Sequence, residues 1–265
     1  PTGAQIYIPP HKAMSPEMFR LVFDWMTKDS IKCPRESILD LMSAAFYMYM
    51  PHLVRELLNC FDDKNIFNTG DAVQLYFKSQ NTPLAGVGNL MLNAVGKHFL
   101  LIVHSDEFRE LTARCLCRMI EPNLLYVQTE IEVLYAVFLW LYTEYNKRID
   151  VMPVILSHVR FQLMPPAFLY YFATLLSELD RDVARILFPI LQKTMWDQQE
   201  IYLCNIDSDD DYEIEVETER SWIVDPECPY REDIELGRYI DHSSFIKYVA
   251  SLNNAESFTE RIYEK

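Results

Sequence analysis

Apolar side chains recur at helical spacing through most of this chain, and proline or a capping residue opens several of the runs. The first run begins at Ser15-Pro16-Glu17, where serine is a favoured cap and proline fits the first helical position. Pro34 and Pro51 open two further runs. The same spacing continues over residues 71–195 with short breaks, which is typical of antiparallel helix pairs. The pattern predicts a mainly α fold.

One helix start carries an additional signal. Thr129-x-x-Glu132 has the spacing of a capping box, in which two side chains satisfy two backbone amides at a helix N-terminus. It predicts a helix over residues 129–144. We expect the paired carboxylates of the chain to lie either in its acidic C-terminal region or on solvent-exposed helix faces, since charged side chains are seldom buried.

Negative charge is concentrated towards the C-terminal end. The chain has 39 acidic and 24 basic side chains, for a formal charge of −15. Residues 207–235 contain thirteen acidic side chains against two basic ones. A surface of this sign repels nucleic acid and anionic membranes, so we expect the chain to bind neither. Its apolar stretches are also too short to span a bilayer.

Residues 181–265 are predicted to form a helix, then an acidic tail, then a short terminal helix near 245–252. Within the tail, a short apolar run over 201–206 precedes a stretch in which Glu213, Glu215 and Glu217 alternate with apolar residues. Alternation with a period of two is typical of a half-exposed strand. Two interpretations remain open: a β-hairpin over 201–224, or a disordered acidic linker.

The sequence contains no residue pattern typical of catalysis, of a cofactor or of a metal site. The six histidines are scattered, and no Gly-x-Ser-x-Gly or His-Glu-x-x-His motif occurs. The acidic run from Asp207 lacks the glycine and terminal glutamate of a calcium-binding loop. Six cysteines without a Cys-x-x-Cys pair favour reduced thiols in an intracellular protein of the cytoplasm or nucleus. We predict a non-enzymatic protein.

The ordered helical segments resemble a known pair of domains. The helix starting at Ser15-Pro16-Glu17 and the helices over 35–45 and 53–60 are similar to the second half of a BTB (POZ) domain. The following residues resemble a BACK domain, the helical module that follows BTB in kelch-like proteins. The carrying positions are Ser105-Asp106-Glu107-Phe108, the helix with Glu130, Glu132 and Trp140, and the segment His158-Val159-Arg160-Phe161. The resemblance implies a BTB part over 1–63 and a BACK domain over 64–180.

Two departures from the family are visible in the sequence. The front half of the BTB fold has no counterpart here, and the chain opens on Pro1 rather than methionine. We therefore expect a fragment or a processed chain, with BTB-mediated homodimers only if the front half is supplied. No kelch segment follows the BACK-like part, and the acidic tail stands where a substrate reader would be expected.

The resemblance also implies a function and a contact region. BTB-BACK proteins typically bind the N-terminal region of cullin-3 and present a protein substrate to a RING ubiquitin ligase. The candidate cullin-facing residues surround the break at Pro51; they are Tyr47, Tyr49, His52, Asp62 and Phe67. Residues two apart on a helix point ~200° apart, so at least one of the two tyrosines should be exposed. Alternatively, these residues join the BTB part to the BACK domain.

A different class of function remains open at this point. The chain could be a ubiquitin-independent scaffold, such as a chromatin, cytoskeletal or nuclear-envelope adaptor. In that interpretation Glu213, Glu215 and Glu217 would attract a basic partner or pair with a peptide along the strand edge. The substrate of the adaptor and the partner of the scaffold are not identified by the sequence.

Overall fold

The structure is a computed structural model that describes residues 14–28, 31–62, 69–80, 84–123, 125–207, 220–252 and 255–265. The chain divides into two compact units, residues 1–94 and 95–265. Helices dominate the described residues of both units, which confirms the predicted mainly α class. In the part of the chain that is described, no helix is long and apolar enough to cross a membrane.

Unit 1 is built from helices around a small apolar core. Its α-helices are α1 (Pro16–Lys28), α2 (Ile38–Tyr47), α3 (Pro51–Asp62), α4 (Thr69–Gln80) and α5 (Ala85–Gly88), and its 3₁₀ turns are Arg35–Ser37 and Asn89–Met91. The division between the two units falls within α6 (Leu92–Lys97). The Ser15 hydroxyl accepts a 3.1 Å hydrogen bond from the Met18 amide, the N-terminal cap that the sequence predicts for α1. Helix α2 packs against both α1 and α3, with Leu41 and Met42 fully buried.

Unit 2 surrounds one buried helix. Its α-helices are α7 (Phe99–Ile102), α8 (Asp106–Arg109), α9 (Ala113–Ile120), α10 (Glu130–Thr143), α11 (Tyr145–Arg148), α12 (Met152–Leu156), α13 (Pro166–Thr174), α14 (Arg181–Asp207), α15 (Arg231–Glu235), α16 (His242–Ser251) and α17 (Ala255–Arg261). Its 3₁₀ turns are Ile149–Val151, Phe161–Leu163 and Leu175–Glu178. Helix α10 is buried over nearly its whole circumference and packs against α8, α11, α12 and α16, as expected of a helix that is apolar all round.

The C-terminal residues fold back onto α10. Strand β1 (Ile223–Val224) pairs antiparallel with β2 (Tyr263–Glu264), and Trp222 forms a parallel bridge with Val127 just before α10. The Phe245 side chain of α16 is fully buried, with its ring 5.8 Å from that of Tyr135 on α10. The described residues of 220–265 are therefore an integral part of unit 2.

The predicted β-hairpin does not begin where the sequence suggested. Residues 201–206, proposed as its first strand, continue helix α14 to Asp207. A short apolar run has no period that separates a strand from a helix, and the preceding turns of α14 are anchored. Gln198 Nε2 donates hydrogen bonds to the backbone oxygens of Gln162 and Met164, each at 3.0 Å. The proposed second strand, residues 212–218, lies outside the described residues.

Candidate protein-interaction site

Helix α2 ends in a backbone motif that places an aromatic residue in an unusual conformation. The Met50 amide donates to the Ala45 oxygen at 2.9 Å, and the Tyr49 amide donates to the Phe46 oxygen at 3.1 Å. This is the Schellman pattern, whose left-handed position is normally taken by glycine. Here it is taken by Tyr49, with a φ of +53°. A side chain with a β-carbon is strained in this region.

The same turn exposes four consecutive large apolar side chains, which we call the aromatic turn. The exposed fractions are 48% for Phe46, 41% for Tyr47, 38% for Met48 and 91% for Tyr49. The prediction that at least one of the two tyrosines is exposed is confirmed. The sequence argument placed both tyrosines on one helix, pointing in different directions. In the structure Tyr49 lies beyond the end of α2 and is turned outward by its left-handed backbone.

The structure brings three of the predicted contact residues into one short segment. Tyr47 closes α2, Tyr49 follows in the turn, and His52 is exposed in the first turn of α3. His52 Nδ1 lies 2.9 Å from Arg55 Nη2. Asp62 is the last residue of α3. Phe67 lies outside the described residues, as do Glu213, Glu215 and Glu217.

Sequence reasoning missed two members of the aromatic turn, Phe46 and Met48. The available signal was the uninterrupted run Phe46-Tyr47-Met48-Tyr49-Met50 before Pro51. Such a run is buried throughout only where other elements surround the helix, as they do α10, so part of a run at the end of a helix is expected to be exposed. Only Met50 turns back, and it packs against the core of unit 1.

The aromatic turn is supported by a closely packed base. Ala44 and Ala45, in the last turns of α2, are fully buried. Trp25 of α1 donates its indole N–H to Glu56 of α3 at 2.7 Å, which links the two helices that flank α2. The turn therefore projects from a fixed support, and its side chains would be ordered little on binding a partner.

Unit 2 contains a buried ion pair between distant parts of the chain. Arg220 Nε is 2.7 Å from Glu130 Oε2, and Arg220 Nη2 is 2.8 Å from Glu130 Oε1. Both side chains are completely buried. Arg220 also donates to the backbone oxygens of Ile120 and Pro122, at 2.6 and 2.9 Å. Such a bidentate, fully bonded pair fixes the C-terminal segment at the start of α10.

A second buried carboxylate, that of Glu132, lies two residues further along α10. Glu132 accepts hydrogen bonds from the Gln128 amide at 2.7 Å, the Gln128 side chain at 3.0 Å and the Tyr230 hydroxyl at 2.7 Å. Burial raises the pKa of Glu132 to about 7, against the lowering effect of these hydrogen bonds. Thr129 caps α10 as predicted, accepting a hydrogen bond from the Ile131 amide.

Asp225 is a third buried carboxylate and joins the C-terminal helices together. It accepts hydrogen bonds from the Tyr248 hydroxyl at 2.6 Å and from Arg261 at 2.8 and 2.9 Å. Burial opposes ionisation, but the hydrogen bonds from Arg261 and Tyr248 lower the pKa of Asp225 overall. The expectation that paired carboxylates are solvated is therefore wrong for Glu130, Glu132 and Asp225, because each finds donors that are far away in sequence.

The residues that carried the BACK resemblance are structural. Trp140 is buried, and its indole N–H donates to the Leu111 oxygen at 2.8 Å. The guanidinium of Arg148 lies 4.1 Å from the centre of the Trp140 ring. Phe108 and Phe161 are buried as well. These contacts hold the helices of unit 2 together. Because they require particular residue types at fixed positions, the resemblance to a BACK domain is visible in the sequence.

Comparison of the sequence with known proteins supports the resemblance to a BACK domain. The family model "BACK: BTB And C-terminal Kelch" matches residues 72–173. Kelch-like protein 25 of Xenopus laevis is 24% identical over 155 residues, which cover 58% of this chain and 26% of that protein. Kelch-like protein 40 of Xenopus tropicalis is 22% identical over 152 residues, covering 57% of this chain and 24% of that protein. The chain thus spans about a quarter of the length of these curated relatives. Over residues 72–173 the chain is thus similar to the BACK domain of kelch-like proteins.

Proposed function

We propose that this chain is a non-enzymatic adaptor that recruits a protein substrate to a cullin-3 RING ubiquitin ligase. The proposal includes the assignment of residues 1–63 as the second half of a BTB domain and of the N-terminal region of cullin-3 as the partner. It is supported by the BACK domain at residues 72–173 and the similarity to kelch-like proteins.

The observation that carries the proposal is the aromatic turn. Tyr49 is 91% exposed and is held in a strained backbone conformation, and strain of this kind is concentrated at functional sites. Exposed aromatic residues on a rigid support are the usual anchors of protein interfaces. Three apolar neighbours would surround this anchor and exclude water from it.

A calorimetric titration of the cullin-3 N-terminal domain into the full chain tests the proposal. We expect saturable binding that is weakened at least tenfold by Tyr49→Ala, since loss of a central aromatic anchor costs about 2 kcal/mol or more. Phe67→Ala, in the predicted contact region, should weaken it as well. The matched control is Tyr170→Ala, which removes a tyrosine that is 57% exposed on α13 of unit 2 and should leave binding unchanged.

The negative outcome should be checked with a longer chain. In the family the hydrophobic-x-Glu contact motif lies upstream of the helix that Ser15 starts here, so the titration is repeated with a chain to which a BTB front half carrying this motif has been joined. Absence of binding by both forms would contradict the cullin-3 assignment. Equal binding by wild type and Tyr49→Ala would contradict the role of the aromatic turn.

The scaffold alternative rests on the sequence of residues 213–217. If cullin-3 does not bind, capture of a basic partner that is lost in Glu213→Gln/Glu215→Gln/Glu217→Gln would favour it. The same triple variant should bind cullin-3 like wild type if the adaptor proposal is right.

A further inference from the structure

A small cavity lies where the C-terminal segment covers the start of α10. Its volume is about 190 Å³, and it is partly open to solvent. Its lining includes Thr129, which caps α10, Ile131 of α10, and four residues of the C-terminal segment, Trp222, Ile234, Arg238 and Lys265. All of these residues belong to unit 2. The cavity exists only because residues 220–265 fold back onto the BACK helices.

The charge of the lining is opposite to that of the chain. Two of the ten lining residues are basic and none is acidic, whereas the whole chain carries a formal charge of −15. Within the described residues, the ion pair of Arg238 is a long one, 3.9 Å to Asp233, and both side chains remain substantially exposed. The basic groups at this cavity are therefore poorly neutralised by the protein itself.

Two side-chain donors of the lining, one of them on the basic residue Lys265, have no acceptor among the described residues. In the described part of the chain, neither the ammonium group of Lys265 nor the indole N–H of Trp222 takes part in a hydrogen bond. The Lys265 backbone is nevertheless fixed, because its amide donates to the Trp222 oxygen at 2.9 Å. The cavity thus offers a set of donors whose supporting backbone is held in place.

The rest of the lining is apolar. Ile131, Ile234 and three other aliphatic residues contribute to it. Pockets for drug-sized ligands have volumes of roughly 300–1,000 Å³, so a cavity of about 190 Å³ matches one side chain better than a cofactor. Apolar side chains beside basic donors suit a ligand that carries an apolar group next to an anion.

We propose that this cavity binds an acidic peptide segment of a partner protein, inserting an apolar side chain next to a carboxylate. The apolar side chain is buried among the aliphatic residues, and the carboxylate accepts hydrogen bonds from Arg238 and Lys265. Charge-assisted hydrogen bonds of this kind are the stronger ones in proteins. The proposal is independent of cullin-3 binding, which we assign to unit 1.

Fluorescence anisotropy with defined peptides tests the proposal on the full chain. The probe is a labelled hexapeptide of alternating leucine and glutamate with both ends blocked, and matched peptides have glutamine or lysine in place of glutamate. We expect the glutamate peptide to bind at least tenfold more tightly than the other two. A leucine–glutamine peptide with a free C-terminus distinguishes a terminal carboxylate from a side-chain carboxylate as the preferred source.

Variants of the basic residues locate the binding. Arg238→Gln and Lys265→Gln should each weaken binding of the glutamate peptide about tenfold. Lys193→Gln is the matched control, because it removes the same charge from an exposed position on α14. Melting temperatures of all variants should equal that of the wild type, since the three side chains lie at the surface.

Acidic residues of the chain itself could compete with the peptide, so the titration is repeated with Glu213→Gln/Glu215→Gln/Glu217→Gln. Tighter peptide binding by this variant would support the proposed chemistry of the cavity. No binding at millimolar peptide by either protein would overturn the proposal. Equal affinity for the glutamate and lysine peptides, or wild-type affinity in both Arg238→Gln and Lys265→Gln, would also overturn it.

Discussion

Tyr49 shows how one residue can be unfavourable for folding and suited to recognition. In the left-handed region the β-carbon approaches the following carbonyl oxygen, at a cost of roughly 1–2 kcal/mol. Glycine would avoid this cost and would complete the Schellman motif in its usual form. The tyrosine ring cannot offset the strain through packing, because 91% of the residue is exposed.

Replacing Tyr49 should therefore separate stability from binding. We expect Tyr49→Gly to raise the free energy of unfolding of unit 1 by about 1 kcal/mol, whereas Tyr49→Ala keeps the strain and should gain little. Urea unfolding followed by circular dichroism measures the difference. Both variants should lose affinity for cullin-3, so a more stable protein that binds less well is the expected result. A Tyr49→Gly variant less stable than Tyr49→Ala would contradict the strain argument.

Unlike Tyr49, Arg220 stabilises the fold, because it neutralises the buried carboxylate of Glu130. Arg220→Met leaves the Glu130 carboxylate buried without its cation, and removing one partner of a buried pair typically costs about 3–5 kcal/mol. The double variant Glu130→Gln/Arg220→Met removes both charges and should recover part of this loss. Chemical unfolding of the three proteins provides the measurement. Equal losses in the single and double variants would mean that Arg220 acts through packing alone.

At the scale of elements, the start of α10 should respond to pH through Glu132. Its pKa is raised from 4.5 to about 7 by burial, so the folded state binds a proton more tightly than the unfolded state. The stability that this proton contributes is complete below pH 4.5 and is lost as pH rises through 7, a change of up to about 3 kcal/mol. Stability should therefore fall between pH 5 and pH 8.

The variant Glu132→Gln isolates this contribution. Burial lowers the pKa of His242, so this histidine makes stability rise with pH over part of the same interval. Subtracting the pH profile of Glu132→Gln from that of the wild type removes the histidine contribution. Thermal unfolding at pH 5, 6, 7 and 8 provides both profiles. A difference that stays constant with pH would contradict the raised pKa.

Sequence patterns predicted the elements that depend on local signals. The cap at Ser15, the helix beginning after Thr129 and the buried Trp140 helix follow from residue types at fixed spacing. The burial of Glu130 and Glu132 did not, because the groups that satisfy them, Arg220 and Tyr230, are 90 and 98 residues away. Charge pairing over such distances has no local signature.

Contacts between residues that are distant in sequence also determine the C-terminal segment, and backbone geometry determines the aromatic turn; neither is visible in a local sequence pattern. The sequence left residues 201–224 as either a hairpin or a disordered acidic linker, because charge density is local information, whereas the packing of residues 220–252 against α10 is not. Residues 201–206 could be a strand or a helix by pattern, and the anchored turns before them decide for the helix. The exposure of at least one of Tyr47 and Tyr49 was predicted, but the left-handed backbone of Tyr49 was not, since glycine is the residue expected at that position.

At the scale of the whole molecule, the division at residues 94 and 95 predicts that stability is not shared evenly along the chain. Tyr49 belongs to unit 1, whereas Arg220 and Glu130 belong to unit 2. Compact units with separate cores often open as separate cooperative units. Tyr49→Gly should therefore change the stability of unit 1, and Arg220→Met that of unit 2.

Hydrogen exchange with mass spectrometry at increasing urea concentrations measures the free energy of opening of each unit separately. Tyr49→Gly should slow exchange in peptides from α2 and α3 and leave α10 unchanged, because the relieved strain belongs to the core of unit 1. Arg220→Met should speed exchange in α10 and α16 and leave α2 unchanged, because the buried carboxylate that it leaves unpaired, Glu130, lies in unit 2. If either variant changes both sets of peptides by the same free energy, the two units unfold together and unit 2 cannot be treated as a separate stability unit.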